Sequence, residues 1–463
     1  MSRVLLISTN TCRTPYPVYP LGMAVVAASL DRAGHDVFQF DWLAAGGRTS
    51  ALHAAVRASR PDLVAVSIRN MDHVDSTAAF DDTWEMKTSR EVVALVRKAT
   101  SAPVVIGGPA VAVMTEQVRE YVDADVAVVG EGECAILDIA RFVEQGRSLP
   151  RVWPAAEPMA GECQARPLFD PSLVAYYRQA GGLIGLQTKR GCPYACCYCT
   201  YPVHEGRCLR VRPVGAVMAD LERLQADFGI DAVFFADSVF NDPQGQYLEL
   251  AEALARRRLG LRWAAYFSPR GLSAEAVALC KQAGLFAVEL GTDAATDTTL
   301  EQMNKPFGWE DVRRANDLLV EQRVACAHYV VFGGPGETPA TLHQGLDHVA
   351  SLDHCVVFGF SGLRLYPEAP LYRRALAEGL VHAGDSLFEP VYYVSPGVDK
   401  AWMESQVTRA WKGRADRVFP PAAGQRLVAR LRTVGFKGLL WDRLIGFPQD
   451  RSETSPSVTG EHG

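Results

Sequence analysis

Apolar residues in the first 148 positions fall in short runs separated by stretches with helical spacing. The runs at 3–8, 36–40, 62–67, 103–106 and 125–129 predict strands, and segments such as 21–33 and 90–100 predict amphipathic helices. Alternation of strand and helix predicts a parallel sheet covered on both faces, an α/β doubly wound (Rossmann-like) domain whose ligand lies beyond the carboxyl ends of the strands. Four of the five ends are unusual. They carry the Pro- and aromatic-rich stretch 10–22, then Ser67-Ile68-Arg69-Asn70-Met71-Asp72-His73, then Gly107-Gly108-Pro109, and finally Gly130-Glu131-Gly132-Glu133. Any one of them reads as a tight turn. Four along one edge predict a large ligand lying across it.

Residues 149–180 hold five prolines and no clear period, which predicts a linker or docking segment. A second βα series follows at 181–370. Its strands are expected at 183–188, 232–236, 262–267, 287–291, 327–332 and 356–362, with helices at 214–228, 247–258, 274–283, 309–321 and 341–351. Six units predict a full or partial βα barrel with its chemistry at the strand carboxyl ends. Residues 371–450 read as mostly helical and 451–463 as a polar, disordered tail.

Composition narrows the classes. Lys plus Arg number 47 against 53 Asp plus Glu, for a net charge of −6, so no overall electrostatic grip on nucleic acid or an anionic membrane is expected. No apolar run is long enough for a membrane span, and the start MSRVLLISTN is too weakly apolar for a signal peptide. A cytoplasmic, reducing location is expected, where cysteines serve more often as ligands or catalysts than as disulfides.

Four of the 11 cysteines lie between positions 192 and 199. Cys192, Cys196 and Cys199 form C-x3-C-x2-C just after the first barrel strand. Three thiolates can hold three irons of a 4Fe–4S cubane and leave the fourth iron open to S-adenosylmethionine. A structural zinc site would need Cys208 or His204 as a fourth ligand and has no second C-x-x-C pair. Four cysteines within eight residues, beside Gly191 and Pro193, fit poorly as fortuitous core residues. Cys197 is expected to be a spectator.

This motif, with Tyr198 before its third cysteine, resembles that of the radical S-adenosylmethionine enzymes. The stretches Phe234-Phe235-Ala236-Asp237, Glu289-Leu290-Gly291-Thr292-Asp293, Gly333-Gly334-Pro335-Gly336-Glu337 and Arg364-Leu365-Tyr366-Pro367 agree with it. The glycine-rich ends of the first domain resemble the subgroup with an N-terminal cobalamin-binding domain. The resemblance spans roughly residues 3–375. It implies that Cys192, Cys196 and Cys199 ligate the cluster and that Tyr198, Asp237, Glu289 and Asp293 contact S-adenosylmethionine. Asp237 and Asp293 could instead simply cap helices. The Gly-rich turn after the fifth barrel strand could cradle a ligand or merely start a helix. His328 reads most simply as a satisfied core histidine.

Cobalamin contacts are expected from Arg69, Asn70, Gly107, Gly108, Gly130, Glu131 and Gly132. No histidine has the Asp-x-His-x-x-Gly setting that supplies an axial ligand. The resemblance therefore implies base-off cobalamin without a protein imidazole, with Arg69 near the lower face of the corrin. The alternative for Arg69 is an ion pair with Asp72. The function implied is methyl transfer to an unactivated carbon. One S-adenosylmethionine methylates cobalamin and a second yields a 5′-deoxyadenosyl radical that activates the substrate, with electrons from a flavodoxin- or ferredoxin-type donor. A cobalamin-dependent cyclase without methyl transfer is the rival. A methylthiotransferase, which needs three N-terminal cluster cysteines, and a non-catalytic cobalamin sensor fit less well. The substrate is expected to be a small molecule, of specialised-metabolite or lipid type by analogy alone.

Overall fold

The computed structural model describes residues 1–80, 84–154 and 157–446, apart from the side chains of Gln425 and Leu427. The expected tail at 451–463 lies outside the described residues. In the first part, β1 (Arg3–Ser8), β2 (Asp36–Asp41), β3 (Leu63–Ser67), β4 (Val104–Gly107) and β5 (Val126–Val128) stand within a residue or so of their expected places. A sixth strand, β6 (Val152–Trp153), lies inside the stretch read as linker. The order is β2-β1-β3-β4-β5-β6, with every pair parallel. Helices on both faces explain why β1 is almost continuously apolar. Val4, Leu5, Leu6 and Ile7 are all buried, each side chain contributing about 2 kcal/mol of hydrophobic stabilisation.

The second sheet begins with β7 (Ile184–Leu186). A small hairpin follows, β8 (Lys189–Arg190) paired antiparallel with β9 (Arg210–Val211). The sheet continues through β10 (Ala232–Phe235), β11 (Arg262–Phe267), β12 (Leu285–Asp293), β13 (Ala325–Phe332) and β14 (Val356–Ser361). After a two-stranded hairpin, β15 (Leu363–Arg364) with β16 (Tyr392–Tyr393), it ends in β17 (Arg417–Val418). The parallel order β17-β14-β13-β12-β11-β10-β7 is a partial barrel, open between its two edge strands. The region expected to be helical thus also supplies a barrel strand. Its last described segment does more. Small residues Ala232, Ala264, Ala287, Ala325 and Ala327 leave room inside the barrel, and Leu439 and Trp441 fill it.

The two sheets meet through buried charges. Arg364 donates from Nε to Asp72 at 3.0 Å, and both side chains are essentially inaccessible. Arg190 bridges Glu133 at 2.5 Å and Glu131 at 3.1 Å, and Arg210 reaches the same Glu131 at 2.7 Å. The intervening segment is laced down rather than loose. The Met159 amide donates to Glu131, its carbonyl accepts from Arg210, and the Leu168 amide donates to Ala24. Among the described residues no helix is long and apolar enough to cross a membrane.

Candidate active site at the junction of the two sheets

The cysteine loop is built on a rigid stem. Lys189 is fully buried and donates to Asp242 at 2.7 Å and to the Phe240 carbonyl at 2.6 Å. Asp237 accepts from the Thr188 amide at 2.7 Å, the Thr188 hydroxyl at 2.5 Å and the Lys189 amide at 3.2 Å. Burial pushes its carboxyl up to about 6, against Lys189 and these donors. Expected to meet S-adenosylmethionine, Asp237 is wholly buried and braces the end of the strand that leads into the loop. Gly191 then turns at φ +88°, where a Cβ would stand 2.1 Å from the Cys208 carbonyl oxygen. Its amide donates to Glu205 and its carbonyl accepts from Ser238.

Cys192, Cys196 and Cys199 follow within one loop. Burial raises the Cys196 and Cys199 thiols, the latter to about 12, and each feels the charge of the neighbouring sulfurs. Among the described residues no three His, Cys, Asp or Glu side chains converge to hold one metal ion. The donors the loop supplies are three thiols, and a cubane takes thiolates one to an iron, so the donor chemistry fits the cluster. Cys197 turns away and packs against the main hydrophobic core. Its amide donates to Met303 and its carbonyl accepts from Leu371.

The expected S-adenosylmethionine residues separate. The Tyr198 hydroxyl donates to Asp293 at 2.6 Å beside the loop. Asp293 sits at φ +61°, just past a register slip between β12 and β13, and also pairs with the buried Lys305. Nothing near Lys305 in sequence marks it, and sequence reasoning missed it. Glu289 lies deeper, inside the barrel, accepting from Trp441 Nε1 at 3.2 Å, and burial pushes its carboxyl up to about 7. His328 is fully buried with both ring nitrogens engaged by Thr292 and Asn316, and burial pushes it down to about 3. It is a core histidine. The Gly-rich turn after β13 leads into the helix Pro339–Ala350, capped by Thr338, and packs against Met303.

A cavity of about 350 Å³ runs from the strand ends of the first sheet into the mouth of the barrel. Arg69, Gly107, Gly108, Gly130, Glu131 and Gly132 line it from one side, and Gln187, Tyr201, His204, Phe234 and Tyr266 from the other. Asn70 is next to Arg69 in the chain but is not part of this lining. Arg69 is exposed and has no ion-pair partner among the described residues, because Asp72 is committed to Arg364. Burial raises the Tyr16, Tyr201 and Tyr266 hydroxyls, and the Arg69 charge lowers each of them in turn. Glu131, expected on cobalamin, has its carboxylate engaged by two arginines and the Met159 amide, which makes it an interdomain anchor. Gly108, at φ +110°, would place a Cβ 2.6 Å from the Ile68 carbonyl oxygen, so it shapes the edge. Two buried polar atoms on the lining, Asn10 Nδ2 and His204 Nδ1, have no partner among the described residues. Unpaired buried donors and acceptors await a ligand, and the corrin's amide-fringed rim suits them. In the sequence, Asn10 opens the unusual stretch 10–22 and His204 stands only as a candidate zinc ligand; neither is expected there on cobalamin.

Comparison with known proteins follows these two halves. Residues 8–140 match the B12 binding domain and residues 186–349 the radical SAM superfamily. The chain is 27% identical to tryptophan 2-C-methyltransferase of Streptomyces laurentii, over 81% of this chain and 74% of that protein. It is 25% identical to the anaerobic magnesium-protoporphyrin IX monomethyl ester cyclase of Rubrivivax gelatinosus, over 71% of this chain and 63% of that protein. The fold superposes on the radical S-adenosylmethionine methyltransferase TsrM of Kitasatospora setae, solved with cobalamin and a [4Fe–4S] cluster. The TM-score is 0.82 at 24% identity, covering 96% of this chain and 97% of that one. With a B12 binding domain followed by a radical S-adenosylmethionine domain that contains the cysteine loop, the chain belongs to the cobalamin-dependent radical S-adenosylmethionine enzymes and is homologous to their methyltransferases.

Proposed function

We propose that the chain is a C-methyltransferase that moves a methyl group through cobalamin onto an unactivated carbon of a small molecule, opened by a 5′-deoxyadenosyl radical. The observation that carries this reading is a cavity lined by both domains, which gives a methyl carrier and a radical source a common space. When bound, the cluster supplies an electron, S-adenosylmethionine the methyl and deoxyadenosyl groups, and cobalamin the methyl-carrying metal.

The chain's own residues would bind, orient and exclude. Cys192, Cys196 and Cys199 would hold the cluster, and Tyr198 and Asp293 would flank S-adenosylmethionine. Asn10, Arg69, Gly107, Gly108, Gly130 and Gly132 would cradle cobalamin. Glu131 would act on it only indirectly, through Arg190 and Arg210. The cavity runs inward past Leu6, Ala65 and Val105, in keeping with base-off binding. Leu439 and Trp441 plug the far end of the barrel and keep water out. The electron would come from a flavodoxin- or ferredoxin-type protein in the cytoplasm.

Anaerobic reconstitution with cobalamin and S-adenosylmethionine, labelled separately in the methyl and adenosyl groups, tests the proposal. Methyl label on cobalt together with 5′-deoxyadenosine is expected. Methyl label without deoxyadenosine would remove the radical step, and deoxyadenosine without methyl label would remove methyl transfer. The similarity to a cyclase favours one rival, radical ring closure, which product mass separates because no methyl is gained.

A further inference from the structure

Three consecutive residues after β12 grip the cysteine loop. The Met303 carbonyl accepts from the Cys197 amide at 3.0 Å, and Asn304 Nδ2 donates to the Ala195 carbonyl at 2.7 Å. The third, Lys305, pairs its ammonium with Asp293, whose carboxylate also accepts from Tyr198 inside the loop, two positions after Cys196. The chain passes the Lys305 ammonium over the Phe307 ring at 5.3 Å and the Tyr198 ring at 5.9 Å. Its side chain is only 7% exposed.

Burying an ammonium and a carboxylate together gains little over an apolar pair of similar volume. Methionine at 305 would fill the same space, and the loop is already held by the two neighbouring contacts. The charges therefore need a reason beyond packing, and the cysteine loop beside them supplies it. Hydrogen bonds and net charge near the thiolates of an iron–sulfur cluster set its reduction potential.

We propose that the Lys305–Asp293 pair tunes the cluster held by Cys192, Cys196 and Cys199, with Lys305 raising its reduction potential and Asp293 limiting that rise. This rests on the ligand assignment proposed above. The cluster gains one electron from the titrant, so the reduced form is the more negative. An ammonium close to the ligand thiolates favours it, and the neighbouring carboxylate opposes it. Both are positioning residues, since they act through the ligand thiolates.

The test is a redox titration of the reconstituted enzyme without S-adenosylmethionine, using dithionite with mediators and the electron paramagnetic resonance of the reduced cluster. Iron content is measured alongside. Lys305→Met is expected to shift the potential negative by at least tenfold in the reduction equilibrium, 59 mV for one electron. Asp293→Asn is expected to shift it positive, and Lys305→Arg to stay near the parent. Potentials of Lys305→Met and Asp293→Asn that both match the parent, at full iron content, would overturn the proposal. If Lys305→Met fails to hold iron, Asp293→Asn decides alone: a rise supports the pairing, and no change or a fall overturns it. A parent chain that binds no cluster would instead overturn the ligand assignment, and this inference with it.

Discussion

Replacing Asp72 with Asn would remove the charge opposite Arg364 while keeping a side-chain oxygen for the Val74 amide, which Asp72 accepts at 2.9 Å. Both partners are inaccessible to water, and Trp84 packs edge-on against Phe388 at 5.2 Å across the same junction. Breaking a buried pair by removing one partner costs about 3–5 kcal/mol, because the remaining charge is left uncompensated. Arg364 keeps its bonds to the Leu365, Leu387 and Phe388 carbonyls, so Asp72→Asn belongs near the lower end, about 3 kcal/mol. Arg364→Met also strands three carbonyls and belongs near the upper end. At 1.4 kcal/mol per tenfold, Asp72→Asn favours separation of the two domains by roughly a hundredfold. Urea titration of the cobalamin-loaded protein, followed through the visible absorbance of the bound cofactor, reads this directly. The double variant Asp72→Asn/Arg364→Met should lose less than the two single losses together, since no buried charge is left alone. Loss of cobalamin at the same urea concentration in Asp72→Asn and parent, with a coupling below about 0.5 kcal/mol, would refute the reasoning.

Cys196→Ala should lose the iron of the cluster while the cobalamin spectrum is retained; full iron content by colorimetric assay would show the ligand assignment to be wrong. Glu289→Gln tests the barrel interior through pH. The folded carboxyl lies near 7, above its ordinary range, so the folded parent keeps an extra proton and loses stability as pH rises from about 4.5 to 7. The variant lacks that loss and should gain on the parent by up to about 3 kcal/mol at pH 8 but not at pH 4.5, as thermal melts at the two pH values would report. Gly108→Ala forces a Cβ against the Ile68 carbonyl at a left-handed φ and should cost at least about 1–2 kcal/mol, with weaker cobalamin binding by equilibrium dialysis. An unchanged melting temperature would contradict the close approach.

What the sequence made legible is what is local in it. The cysteine loop is contiguous and preceded by a glycine that only glycine suits, and each strand end of the first sheet is a short run with its own turn chemistry. Regular strands with continuous apolar runs were placed within a residue or two. Two-residue strands such as β6 and β17 have no period to read, and pairing alone creates them. Long-range chemistry was invisible for the same reason: Asp72 meets Arg364 across 292 positions, and Asn304, next to Lys305, meets the cysteine loop across 109. Asp237 and Glu131 also have partners far away in the sequence: the fold uses one to brace a strand end and the other to take two arginines.

Arg190 stands two positions before Cys192 and holds two acids from the opposite domain, which has a consequence for modularity. The halves are separable as sequence signatures, yet the charges joining them are shared out between both. A chimera that draws its first domain from another protein must bring acids to positions 72, 131 and 133, or leave Arg190, Arg210 and Arg364 without a carboxylate from that domain. The unit that can be exchanged is therefore a domain together with its seam, and the spacing between the two reaction centres travels with that seam.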